Sequence, residues 1–403
     1  MPVVSNNGVI SLEREYGAHN YLPLPVVLSK GAGIYVWDLQ GKRYIDMMSA
    51  YSAVSHGHCH PKLVAALTAQ AQKLAVVSRA FYTETLGAFL QQACEMTGCE
   101  KALPMNSGAE GVETAIKASR KWGHLVKGIP ENKAEIIVCE GNFHGRTTTI
   151  VSCSTEPQYR YGFGPFTPGF TVIPYNDATA LEEAITPNTA AFLLEPIQGE
   201  AGIRIPSSGY LRRCRELCNQ HNVLLICDEI QTGLGRTGKL LASQHEEVRP
   251  DGIILGKALG GGLLPVSLFL TRKEVMDIFT PGDHGSTFGG NQLAAMVGLT
   301  ALKLIEEENL VENSAILGNY LLEKLQTISN PIIKEVRGKG LFIGIEIESD
   351  KVTARQICLS LMEAGLLSKE THGTVIRLAP PLVIKKSEVD DAFEIIAKVF
   401  QQF

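Results

Sequence analysis

Val223-Leu224-Leu225-Ile226-Cys227-Asp228 and Ile253-Ile254-Leu255-Gly256-Lys257 are two short apolar runs, each ending in a charge. Apolar runs of this length, without polar alternation, are the pattern of strands buried on both faces. A carboxylate and an amine at the ends of such strands are costly unless paired or used. Working outward, similar runs occur at Ile136–Cys139, Thr171–Pro174, Ala190–Leu194 and Val266–Leu270. Helix-like segments lie between them, notably Ala109–Trp122 and Gly209–His221. Val112, Ala115, Ile116 and Ser119 give the first of these a small apolar stripe. The alternation predicts an α/β fold over residues 51–290, with a mostly parallel central sheet flanked by helices on both faces. In such sheets ligands bind beyond the carboxyl ends of the strands, where Asp228 and Lys257 fall.

The flanks read differently. Within residues 1–50, Ile34-Tyr35-Val36-Trp37 and Lys42-Arg43-Tyr44-Ile45 enclose a polar turn and predict a hairpin, taken as part of a small domain. Residues 291–403 predict a smaller α+β domain, with helices through Ala294–Glu308 and Thr353–Glu363 and strands at Leu341–Glu348 and Val375–Leu378.

Composition excludes several classes. The 403 residues carry 37 Lys+Arg against 42 Asp+Glu, a net charge of −5, which gives no basic footprint for nucleic acid. The longest uncharged apolar run, Ala258–Leu270, contains Gly260, Gly261, Gly262 and Pro265. It falls short of the ~20 residues that span a bilayer. Residues 1–17 have neither an apolar signal core nor an arginine-rich bias. Nine cysteines occur without a Cys-x-x-Cys pair, several inside apolar runs, the pattern of free thiols in a reducing compartment. A cytoplasmic protein without nucleic-acid or membrane partners is expected.

Lys257 and Asp228 point to chemistry. An amine that can attach an aldehyde, with an acid to hold a pyridinium nitrogen, is what a pyridoxal phosphate site requires. Asn106-Ser107-Gly108-Ala109-Glu110 opens a helix and reads either as a phosphate cradle or as an ordinary serine cap, the commoner use. Phe143-His144-Gly145-Arg146 follows a strand; Phe143 could stack on a flat ring and Arg146 could fork onto a carboxylate, or the stretch is a plain surface loop. Arg377 interrupts the apolar run Val375–Ala379 and needs an anion, structural or substrate.

Three other patterns are set aside. Gly233-x-Gly235-x-x-Gly238 matches a dinucleotide fingerprint in spacing only, since five residues separate it from its strand; it reads as a flexible loop. Gly252-x-x-x-Gly256-Lys257-Ala258 is one residue short of a Walker loop and lacks its hydroxyl. His56, His58 and His60 sit among Gly57 and Pro61 and read as a turn, with no metal site expected.

Five blocks carry a resemblance: Ser107-Gly108-Ala109-Glu110, Glu195-Pro196-Ile197-Gln198-Gly199-Glu200, Asp228-Glu229-Ile230-Gln231-Thr232-Gly233, Leu255-Gly256-Lys257-Ala258 and Gly285-Ser286-Thr287-Phe288-Gly289-Gly290-Asn291. In order and spacing they resemble the class-III (subgroup II) pyridoxal-phosphate-dependent aminotransferases over nearly the whole chain. Tyr16–Tyr21, Ala50–Val54 and Gly57–Pro61 resemble the ornithine aminotransferase branch. Gly260 departs from a frequent Ser, and Gln292 from a usual Pro.

The resemblance implies a fold type I transferase, a homodimer with interfacial active sites, and pyridoxal 5'-phosphate as cofactor. It implies transfer of the δ-amino group of L-ornithine to 2-oxoglutarate, giving glutamate-5-semialdehyde, which cyclises to pyrroline-5-carboxylate, and glutamate. Acetylornithine or another ω-amino acid is the alternative substrate. By the same resemblance, Lys257 would carry the cofactor and move the proton, and Asp228 would hold the pyridine nitrogen. Gln231 would lie near the cofactor's phenolic oxygen, and Phe143, with His144 beside it, would stack on the ring. Ser107, Gly108 and Ala109 would hold the phosphate, with Ser286 and Thr287 reaching it from the neighbouring subunit. Tyr21 and Arg146 would grip ornithine's carboxylate, Tyr51 would line that pocket, and Glu200 would mask Arg377 until the keto acid binds. A pyridoxal-phosphate-binding scaffold without activity and a nicotinamide oxidoreductase are the readings from other classes.

Overall fold

The computed structural model describes residues 6–348 and 350–403. Among these, fifteen strands form three sheets. The largest contains β4 (Lys101–Met105), β5 (Glu135–Cys139), β6 (Phe170–Ile173), β7 (Thr189–Leu194), β8 (Leu224–Asp228), β9 (Gly252–Leu255) and β10 (Ser267–Thr271). They are arranged in the order β4-β10-β9-β8-β7-β5-β6. The chain of parallel pairs runs β9-β8-β7-β5-β6, and β10 lies antiparallel to both β9 and β4.

The apolar runs become strands because both of their faces are covered. Side chains alternate across a sheet, so Ile136 and Val138 of β5 face one way and Ile137 and Cys139 the other. The first pair packs with Val112, Ala115, Ile116 and Trp122 of the Gly108–Trp122 helix. The second packs with Leu211, Cys214, Leu217 and Cys218 of the Tyr210–Gln220 helix. Every residue of β7, β8, β9 and β10 is buried. The strand β4 has no clear signal in the sequence. It is a sheet edge, where Pro104 is tolerated because only one side of the strand is paired.

The second sheet joins distant parts of the chain. β1 (Leu28–Ala32), β2 (Tyr35–Asp38) and β3 (Arg43–Asp46) form antiparallel pairs, and β13 (Leu366–Leu367) adds to β3 in parallel. The expected hairpin is β2–β3. The third sheet, in the order β11-β12-β15-β14, contains β11 (Ile333–Lys339), β12 (Phe342–Ile347), β14 (Lys369–Thr371) and β15 (Val375–Leu378). The Gln292–Glu307 helix leads towards this region but packs on the Pro61–Lys73 and Leu86–Thr97 helices.

The three patterns set aside in the sequence acquire a structural meaning. The Gly233–Gly238 segment is not a flexible loop; residues 233–237 are buried, and it packs on the Leu310–Gln326 helix, where Gly238 approaches Ala315 and Gly235 approaches Val311. The glycines are therefore there for close packing. The Gly252 end of the Walker-like stretch is β9 itself. The three neighbouring histidines go to three separate partners: His56 to the Ala301 carbonyl at 2.9 Å, His58 to Asp46 at 2.7 Å and His60 to Glu308 at 3.1 Å. Among the described residues, no helix is long and apolar enough to cross a membrane.

The closest approach between helix and turn in this region is at Gly318, where an added Cβ would lie 2.0 Å from the Gly340 carbonyl carbon. Gly318→Ala is expected to lower unfolding stability by about 1–3 kcal/mol through overpacking. Denaturant unfolding of the variant and the parent protein measures this, and equal midpoints would contradict the close contact.

Candidate active site

Four adjacent strands of the large sheet end at one place. β9 leads to Lys257, β8 ends in Asp228, β7 leads to Glu195, and β5 leads through a loop to Phe143 and His144. The chain reverses its order of strand addition between β5 and β7, since β6 lies outside β5 and β7 inside it. That is a topological switch point, where open α/β sheets place ligands. A cavity of about 190 Å³ opens there, lined by Gly108, Ala109, Phe143, His144, Glu195, Asp228, Gln231, Thr232 and Lys257 among others.

The acid–imidazole pair is the tightest feature. Asp228 is 4% exposed, and its Oδ2 lies 2.7 Å from His144 Nδ1. Its Oδ1 accepts from the Ile230 backbone N–H at 3.1 Å. Burial pushes the His144 imidazole down, but the Asp228 hydrogen bond and charge outweigh it, so the net shift is upward. His144 Nε2 is buried without a hydrogen-bond partner among the described residues. Glu195 Oε2 accepts from the Phe143 N–H at 3.0 Å, and burial pushes its pKa up to about 7.

Lys257 is the cation facing these acids. Burial lowers its pKa, with Glu200 and Asp228 opposing the shift. Its backbone φ is +45°, an uncommon region for a non-glycine residue. Ser107 shows that the two readings of its block are compatible. It forms a full capping box with Glu110, accepting from the Glu110 N–H while the Glu110 carboxylate accepts from the Ser107 N–H. The box leaves the first-turn N–H groups of Gly108 and Ala109, which line the cavity, at a helix terminus that favours an anion.

A second charged pair adjoins the cavity. Arg377 Nη1 donates to Glu200 Oε1 at 2.6 Å, and the Arg377 side chain is 5% exposed. Burial tends to raise the Glu200 pKa, but the Arg377 and Lys257 charges outweigh it and leave it lowered. The Arg377 guanidinium carbon lies 4.8 Å from the Tyr51 ring centre. Burial raises the Tyr51 pKa, and Glu200 and Tyr21 add to that rise, which puts Tyr21 in the same neighbourhood although it is 66% exposed. Gln231 bridges the groups, with its amide 3.5 Å from the Tyr51 carbonyl. A Cβ on Gly199 would meet Gln231 Oε1 at 1.8 Å, so any larger residue there would displace the Gln231 side chain.

Arg146 stacks 4.2 Å over Tyr159 and 5.8 Å from Phe143. Ser286 and Thr287 do not line the Lys257 cavity. They line a separate groove with Asn106, Val76 and Phe288, where Asn106 Nδ2 donates to Ser286 Oγ at 2.8 Å. Gln292 is buried beside that groove and accepts from the Val77 N–H at 3.0 Å. Reading the sequence alone misses Tyr159 and any separate role for Glu195. Glu195 ends the run Ala190–Leu194 as Asp228 ends its own, so the same criterion applied to that run finds it. Tyr159 lies in the Pro157–Arg160 helix, a single turn too short to leave a periodic signal.

Another groove, of about 550 Å³, lies by the amino ends of β8 and β9 and is lined by Arg212, Arg215, Arg249, Arg272 and Asp251 among others. Its two inner arginines, Arg215 and Arg272, are both consumed by Asp251. The chemistry therefore belongs to the smaller cavity.

The donor set fits pyridoxal phosphate on observations of this structure. A half-buried amine faces a buried carboxylate, an aromatic ring forms part of the wall, and a capped helix terminus opens into the same cavity. Because burial lowers the Lys257 pKa, more of its amine is neutral at a given pH than in an exposed lysine. Brief treatment with pyridoxal phosphate and borohydride near neutral pH should label Lys257 ahead of the other lysines. The labelling rate should level off below the ordinary lysine range as pH rises. Peptide mapping measures both, and label spread evenly over the lysines would contradict the site.

Comparison with known proteins agrees with this geometry. The family model described as aminotransferase class-III matches residues 16–400. An ornithine aminotransferase of Exiguobacterium sp. is 58% identical over 391 residues, covering 97% of each chain. One from Brevibacillus brevis is 56% identical, covering 98% of each. Among solved structures, an ornithine aminotransferase from Toxoplasma gondii superposes with a TM-score of 0.98 at 46% identity, covering 100% of this chain and 95% of that one. An acetylornithine aminotransferase from Elizabethkingia anophelis gives 0.90 at 50% identity, covering 99% of each.

Proposed function

The chain belongs to the class-III aminotransferases, and we propose that it is an ornithine δ-aminotransferase using pyridoxal phosphate and 2-oxoglutarate. It is a pyridoxal-phosphate-dependent enzyme of fold type I. The observation that carries the substrate reading is the Arg377–Glu200 pair beneath Tyr51, next to the Lys257 cavity. Ornithine presents one carboxylate and a distal amine, while 2-oxoglutarate presents two carboxylates. An arginine held by Glu200 is withheld from ornithine's α-carboxylate and released for that of the keto acid.

When bound, the cofactor supplies an electron sink for the carbon that loses its proton. Lys257, neutral more readily because burial lowers its pKa, takes that proton at Nζ from the carbon bearing the amino group. Asp228 would offer its carboxylate to a protonated ring nitrogen, and its hydrogen bonds to His144 and the Ile230 N–H keep it oriented. Phe143 would pack on the ring. Gln231 would lie by the cofactor's phenolic oxygen. Ser107, Gly108 and Ala109 would hold the phosphate at the helix terminus. Tyr21, Tyr51 and Arg146 would hold ornithine's α-carboxylate, which directs the δ-amine to Lys257.

A homodimer goes with this reading. Ser286 and Thr287 face away from their own chain's cavity, and Val76 and Phe288 beside them are 39% and 55% exposed. These features support a second subunit seated there, receiving the two hydroxyls at its own phosphate site. Acetylornithine remains the competing substrate because the same cofactor groups would serve it, and the Elizabethkingia relative carries that name.

Purified protein with pyridoxal phosphate and 2-oxoglutarate should turn over ornithine far faster than N-acetylornithine, with pyrroline-5-carboxylate as product. The reverse ratio would replace the substrate assignment. In Lys257→Ala, both turnover and the visible absorbance of the bound cofactor should be lost. Retained activity would refute the role given to that amine. Glu200→Ala leaves Arg377 without its anion, and ornithine is then expected to lose α- as well as δ-nitrogen. Product analysis reads this, and unchanged regiochemistry would count against masking by Glu200.

A further inference from the structure

Tyr51 stands on a backbone that it could not hold alone. Ser49, Ala50, Tyr51 and Ser52 have φ of +48°, +46°, +59° and +74°, four successive non-glycine residues in the left-handed region. Single residues visit this region; runs of them are disfavoured by contacts between Cβ and the following carbonyl. The turn is also polar, with Ser49 Oγ and Ser52 Oγ buried and without hydrogen-bond partners among the described residues. Such a conformation persists only where its surroundings impose it.

The surroundings grip it at both ends. At the start, Asp46 Oδ1 accepts from the Met48 and Ser49 N–H groups, each at 2.9 Å, while Asp46 Oδ2 is held by His58 at 2.7 Å. At the end, the Ser55 hydroxyl donates to the Ser52 carbonyl at 3.1 Å and accepts from Arg236 Nη2 at 3.0 Å. Arg236 is 0% exposed. Its Nη1 donates to the Leu341 carbonyl at 2.9 Å and to the Pro380 carbonyl at 2.6 Å. One guanidinium thus ties together the Tyr51 turn, the start of β12 and the segment just after Arg377. It extends from the glycine segment 233–238, which follows Gln231, and Gln231 itself reaches the Tyr51 carbonyl.

We propose that Arg236, acting through Ser55, is a positioning residue that sets the placement of Tyr51 against Arg377 and thereby the enzyme's grip on the α-carboxylate of its amino-acid substrate. This rests on the ornithine reading above, and deepens it by naming what fixes the specificity side chain. Arg236 touches neither reacting atoms nor Lys257. Its effect is geometric, because a fork that reaches three chain segments fixes their relative position as no lysine could.

The test is a double-mutant cycle on the holoenzyme. Ser55→Ala removes the link between Arg236 and the turn but leaves both carbonyl contacts of the guanidinium. The KM for ornithine is expected to rise about fivefold, the value of one hydrogen bond, with kcat and the cofactor's visible absorbance retained. In a Tyr51→Ala background the same change should add nothing, because its effect passes through Tyr51. Arg236→Lys should raise KM for both ornithine and 2-oxoglutarate, since it also frees the Arg377 segment. Should that variant fail to fold, the Ser55 cycle still decides. An unchanged KM in Ser55→Ala, or an equal penalty with and without Tyr51, would overturn the proposal. The cycle is run with whichever amine the wild-type protein accepts, so an error in the substrate assignment shows in the wild type and an error in positioning shows only in the variants.

Discussion

Charged groups gathered at the carboxyl edge of a buried sheet are the constraint on which the rest of this structure depends. Lys257, Asp228 and Glu195 close three adjacent buried strands, and His144 completes the row from a fourth. None of these groups is stable there unless the others are placed correctly: Asp228 needs His144 and the Ile230 N–H, and Glu195 needs the Phe143 N–H. The arrangement leaves an amine that is more easily neutral and an imidazole that is more easily charged than either would be in water. Burial lowers both, and only for His144 do the Asp228 hydrogen bond and charge reverse the direction.

The site is completed by segments far apart in the chain. Glu200 follows β7 of the large sheet, Arg377 lies in β15 of a small sheet, and Tyr51 comes from a turn after β3. Their meeting depends on the Gly233–Gly238 segment, which runs from beside Gln231 into the C-terminal region. Glycines there allow main chain and helix to approach, as at Gly238 and Ala315. The approach delivers Arg236 to the carbonyls of Leu341 and Pro380. A stretch that looks like a cofactor motif in one dimension is thus an internal strut in three.

Much of the fold is legible in the sequence because covered strands and amphipathic helices leave a periodic trace. Ile136–Cys139 and Val223–Cys227 show it clearly, as does the helix beginning at Gly108. β4 escapes notice because an edge strand is under weaker demand for apolar residues and can carry Lys101 and Pro104. The flexibility expected of residues 233–238 fails for a related reason: glycine signals freedom of the chain, and that freedom serves mobile loops and tight packing equally. The Lys257–Asp228 pairing is legible from the cost of charges at the ends of buried strands. The Glu195 contribution obeys the same rule at the end of β7.

What the sequence determined by itself was local: which segments are strands or helices, which charges end buried strands, and which short blocks match a known family. These follow from the spacing of apolar and polar residues along a few turns or pleats. The resemblance already implied that Glu200 pairs with Arg377; only the tertiary structure decided that the pair lies beneath Tyr51, that Tyr51 sits on a left-handed turn, and that Arg236 ties the three segments together. Those facts depend on the directions in which separated elements cross. Direction is set by packing over the whole core, and no short-range pattern in the chain encodes it.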